Sequence, residues 1–98
     1  MSGGDWKTMF KAIQDGDIEL VKYYLRMGID PNYQHPEFMA SPLIESIRFN
    51  EIEIMRLLLN NGADPKIKEY MEGVTPMEVA QKANNTKAIK ILNQFIVS

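Results

Sequence analysis

The chain has 98 residues, enough for one small domain, with the 45% hydrophobic and 24% charged side chains of an ordinary folded protein. Eleven Lys and Arg against thirteen Asp and Glu leave a formal charge of −2, and the basic residues are scattered, so the clustered cationic face of a nucleic-acid binder is missing. The absence of cysteine excludes disulfides and thiolate metal sites and accords with a cytoplasmic location, and no apolar run approaches the ~20 residues of a membrane helix.

"MSGGDWK" has no apolar core and is not a signal peptide, so residues 1–4 are expected to be a flexible start and 5–98 one domain. That domain repeats itself. At an offset of 34 residues, Gly28-Ile29-Asp30-Pro31 meets Gly62-Ala63-Asp64-Pro65, and Ala12, Ser46 and Ala80 coincide. Ile18-Glu19-Leu20-Val21-Lys22 meets Ile52-Glu53-Ile54-Met55-Arg56. A period of roughly 20–50 residues marks an array of small units. The units fall at about 5–34, 35–68 and 69–98.

Each unit reads as two short antiparallel helices. In the first, Gly16 ends one helix, Asp17 caps the next, and Ile18, Val21, Tyr24 and Leu25 form its buried stripe. In the second, Ser41 caps a helix over 42–49 with Pro42 in its first turn, and Asn50 ends it. Ile52, Met55, Leu58 and Leu59 carry the next stripe. Asn61-Gly62, taken alone, signals a hairpin turn; after that stripe it reads as a helix stop with Gly62 at positive φ, and Pro65 prevents resumption. In the third, Thr75-Pro76 opens a helix, and Asn84 and Asn85 hold the turn and cap positions. Asn93 stands where the other units have Leu25 and Leu59, as a polar terminal unit requires, and Phe95-Ile96-Val97 ends the last helix.

The segment "SPLIESIRFNEIEIMRLLLNNGADP" resembles the ankyrin repeat, with its Thr-Pro-Leu-His, helix, turn, helix and Gly-Ala-Asp pattern. "TPMEVAQKANNTKAIKIL" and "MFKAIQDGDIELVKYYLRMGIDPN" supply two weaker copies. The resemblance implies an all-α repeat solenoid of about three units, joined by β-hairpin-like fingers at 31–41 and 65–75. The family's His after Pro-Leu is replaced here by Phe10, Ile44 and Glu78, so the hydrogen bonds that tie neighbouring turns together must differ.

No catalytic constellation is visible, and no cofactor or metal is expected. His35, the single histidine, lies in "YQHPEF" and reads as an exposed loop residue. "DGDIE" starts like a calcium loop but has Leu20 where Gly is required and Arg26 where the closing Glu belongs. Glu45, Glu51 and Glu53 read as solvated helix positions, and Met9 and Met55 as core.

By resemblance, function is protein–protein interaction on the concave face made by fingers and first helices. The matching positions are Trp6, Gln14, Asp15 and Tyr33; then Glu37, Phe38, Ala40, Arg48 and Phe49; then Tyr70, Met71, Glu72, Val74, Lys82 and Ala83. Tyr, Trp, Phe, Met and Arg are enriched in interface centres. Arg48 with Phe49 is the foremost pair, expected to be removable with little loss of stability. Trp6 has a competing role as a seal of the N-terminal end, as Phe38 and Tyr70 have in closing the fingers. The expected molecule is a monomer that binds another protein, neither nucleic acid nor membrane. A small inhibitor or immunity-type protein masking an enzyme is one alternative, and self-association through Phe95-Ile96-Val97 another.

Overall fold

The computed structural model describes residues 3–97. Met1 and Ser2 of the expected flexible start lie outside the described residues, whereas Gly3 and Gly4, expected in that start, open the first helix. Six helices follow in pairs: α1 (Gly3–Asp15) with α2 (Ile18–Arg26), α3 (Pro42–Arg48) with α4 (Ile52–Asn60), and α5 (Pro76–Lys82) with α6 (Thr86–Val97). The first helices stack as α1, α3, α5 and the second as α2, α4, α6.

Local chemistry sets the boundaries. The Ser41 hydroxyl accepts from Ile44 N–H at 3.3 Å, and Pro42 follows where a missing N–H costs little. Thr75 and Glu78 form a reciprocal capping box. Asp17 and Asn85 accept from Leu20 and Ala88 N–H, while Glu51, at the same position, makes no cap bond. Gly16, Asn50 and Asn84 end the first helices at φ +74°, +53° and +53°. Gly62 has φ +96°, so Asn61-Gly62 is the helix stop.

The loops between units differ from the hairpin expected. Among the described residues there is no strand. Pro31, Pro36 and Pro65 lack the N–H a ladder needs, and Met39 sits at φ +48°. The first finger closes instead by turns, Phe38 and Met39 N–H both donating to His35 C=O. The second is tied by Glu69 N–H to Val74 C=O at 2.8 Å, and Met71 N–H reaches across to Met39 C=O at 2.9 Å.

The core runs the length of the stack, through Met9, Ile13, Val21, Leu43, Ile47, Met55, Leu58, Ala80, Ile91 and Leu92. Ile54 is buried although it lies off the predicted stripe, and Ile52, on the stripe, is only half-buried. The reason is positional: α4 packs against α3, α2 and α6, so its apolar arc is wider than one pairing requires. Phe95 and Ile96 pack half-buried against the core. Leu58 is wholly buried, and Leu58→Ala is expected to cost roughly 2–5 kcal/mol in urea denaturation. Gly62→Val is expected to lose roughly 1–3 kcal/mol through backbone strain alone, because nothing lies within 4 Å of an added Cβ. Asn61→Ala removes one exposed bond to Leu57 C=O and should cost less, about 0.5 kcal/mol.

Candidate protein-binding face

The fingers and first helices share one face, and two amide side chains tie the first finger to the second and to the turn that leads into it. Asn32 donates to Gly62 C=O at 2.9 Å and accepts from Asp64 N–H at 2.7 Å. Gln34 donates to Lys68 C=O at 3.0 Å and accepts from Tyr70 N–H at 2.9 Å. At the opposite end of the units, Asn85 donates to Asn50 at 3.1 Å.

A second set of bonds centres on Arg48. Its guanidinium forks onto Glu69, Nη1 to Oε1 at 2.8 Å and Nη2 to Oε2 at 2.5 Å. Nη2 also reaches Glu72 at 2.8 Å, and Nη1 lies 3.4 Å from Glu45. Glu69 is 0% exposed and also accepts from Ser41 N–H at 3.1 Å. Glu45 accepts from Gln14 Nε2 at 2.7 Å, so one polar chain joins α1, α3 and the second finger. Hydrogen bonding to Glu69, foremost, raises the Arg48 pKa above its ordinary value, with burial opposing.

Two expectations change here. Glu45, read as solvated, is buried because Gln14 and Arg48 satisfy its oxygens. Glu51 is half-buried, and Glu53 is exposed as expected. Arg48, read as dispensable for stability, is instead the counter-ion of a carboxylate with no access to water. Sequence reasoning passed over Glu69 altogether. A single Glu in a loop carries no periodic signal, and its partner lies 21 residues away.

Trp6 is 1% exposed and does not line the face. It stacks on Phe10 at 4.8 Å, His35 at 5.4 Å and Phe38 at 5.8 Å, and its Nε1–H donates to Tyr33 C=O at 3.0 Å. That cluster closes the first finger against α1 and half-buries His35, which was expected to be exposed, and Ala40 is buried in the core. Phe38 lies over Phe10 with one ring face and remains 41% exposed. Lys7 pairs with Glu37 at 3.0 Å, and that hydrogen bond holds the Glu37 carboxyl below its usual range. Asp15 is exposed and paired to Lys11.

Tyr33, Phe49, Tyr70 and Met71 are exposed, Tyr70 to 71% and Phe49 to 48%. A groove of about 590 Å³ is lined by Arg48, Glu72, Val74, Glu78, Val79, Gln81, Lys82 and Ala83. It gathers five of the anticipated positions, Arg48, Glu72, Val74, Lys82 and Ala83, from the second and third units. Gln14 is linked to it only through Glu45. Among the described residues no group of three or more His, Asp and Glu is placed to hold a metal ion. No described helix is long and apolar enough to cross a membrane.

A family model for ankyrin repeats in three copies matches residues 9–95. The chain is 34% identical over 83 residues to the human 2-5A-dependent ribonuclease, covering 85% of this chain and 11% of that protein. It is 34% identical over 76 residues to a putative ankyrin repeat protein of Fowlpox virus, covering 76% and 22%. It is 31% identical over 87 residues to the human SH3 and multiple ankyrin repeat domains protein 2, covering 88% and 5%. The chain therefore spans a small part of the curated relatives it matches.

Arg48→Ala is expected to cost about 3 kcal/mol in urea denaturation, because it strands the buried Glu69. Phe49→Ala, at an exposed position, should change stability by less than about 0.5 kcal/mol. Replacing Arg48 and Glu69 together by Met and Leu should recover most of the first loss.

Proposed function

The chain belongs to the ankyrin-repeat family, and from that premise we propose that it binds one partner protein on the face made by its fingers and first helices. Ankyrin repeats generally mediate protein–protein interaction, and the fold is typically a non-catalytic module. The observation that supports this face is the exposure of Phe49, Tyr70 and Met71, chain neighbours of the groove residues Arg48 and Glu72, with Arg48 held by Glu69. Large side chains on a rigid support lose little entropy on contact, and residues of these types concentrate in interface centres.

The packing of Phe95 and Ile96 against the core supports this reading over self-association through the C-terminal end. Masking an enzyme is one form that such binding can take. The activities named for the relatives are not carried over, because the match covers 11% of the ribonuclease.

Capture from the source cells with the wild type beside a Phe49→Ala, Tyr70→Ala variant tests the reading. The partner should be lost or bound roughly tenfold more weakly, while the melting temperature stays unchanged. Undiminished capture would place the contact elsewhere.

A further inference from the structure

The groove between the second finger and α5 has a charge imbalance that deepens the reading above and rests on it. Its apolar floor is the half-buried Val74 and Val79, beside the exposed Ala83. Glu72 lines the groove from the finger and Glu78 from the first turn of α5. Glu72 gives one oxygen to Arg48, and Glu78 gives one to Thr75 N–H at 3.0 Å. The second oxygen of each makes no hydrogen bond among the described residues.

Arg48 does not neutralise this end. Its Nη2 is shared between Glu69 and Glu72, and its Nη1 between Glu69 and Glu45. Three carboxylates, Glu45, Glu69 and Glu72, therefore share one guanidinium, and Glu78 and Lys82 line the groove one turn apart on α5. Lys82 lines the same groove, is exposed, and makes no ion pair among the described residues. A concave wall with an unbalanced negative charge attracts a cation, and a low-dielectric floor sharpens the field.

We infer that this groove takes a partner segment that presents a Lys or Arg side chain to Glu72 and Glu78, followed by apolar residues over Val74 and Val79. The cation restores the charge balance that Arg48 leaves unfilled, and the apolar residues cover the floor. Lys82, one turn along α5 from Glu78, lines the same groove and disfavours a second cation beside it.

The test is selection of a phage-displayed random-peptide library on the wild-type chain, with the enriched peptide then titrated by amide shifts. Enriched peptides should carry Lys or Arg beside apolar residues. Their affinity should fall about tenfold or more in a Glu72→Gln, Glu78→Gln variant, and should weaken as salt rises, as expected of rim charges. Lys82→Gln should leave binding undiminished. Both Gln substitutions are mild: Glu78→Gln keeps an acceptor for the capping box, and Arg48 retains Glu69. Circular-dichroism melts of each variant confirm that the chain still folds.

Acidic or charge-indifferent peptides, failure to enrich any peptide, or unchanged affinity in the double variant would overturn the inference. A peptide that maps to the fingers and first helices but ignores the charges overturns the inference alone. One that maps to the outer surfaces of α2 and α4 overturns the assigned face as well.

Discussion

The buried carboxylate of Glu69 is the constraint around which the binding face is arranged. A charge with no water must be matched inside the protein or it destabilises the fold. Here the match comes from Arg48, one helix of the preceding unit, in a two-bonded fork. Because the same Glu69 also receives Ser41 N–H, the second finger is fixed to the start of α3 and to its last turn at once. Finger and helix therefore keep one relative position, and the groove between them keeps its shape. The apolar stack holds the units together without regard to direction, whereas this polar set fixes where the second finger stands.

The remaining polar bonds follow the same logic at lower cost. Gln14 satisfies Glu45, and Glu45 in turn lies beside Arg48, so the first unit is coupled to the third through side chains of the second. On the other side of the first finger, an aromatic cluster around Trp6 does by packing what Arg48 does by charge. The chain thus uses apolar closure where a finger meets the N-terminal helix, and ionic closure where the next finger meets the middle unit. An aromatic residue in the first case and a carboxylate in the second stand one period apart in their partners: His35 and Glu69 occupy the same place in the repeat.

The helices were legible because each carries its own punctuation. Ser41-Pro42, Thr75-Pro76, Gly16, Asn50, Asn84 and Gly62 act within a few residues of themselves, and the structure has each where that local chemistry puts it. The face was legible only as a set of positions. Which of them project to solvent depends on contacts between units, and such contacts leave no period in the sequence. Trp6 is hidden by His35 and Phe38, some thirty residues further on, and Arg48 is held by a Glu that no pattern marks. Ile54 shows the same limit inside the core, where a helix with neighbours on both sides buries more than one stripe.

The two amide clasps at Asn32 and Gln34 have a mechanical consequence. Each grips the next unit's main chain with a donor and an acceptor together, Asn32 at the approach to the second finger and Gln34 within it, so sliding one finger against the other breaks bonds in pairs. One period later the same places hold Lys66 and Lys68, which cannot accept a hydrogen bond, so the device is used once rather than repeated. The two fingers behave as a single stiff plate, and a load applied at the tip of one is carried by both.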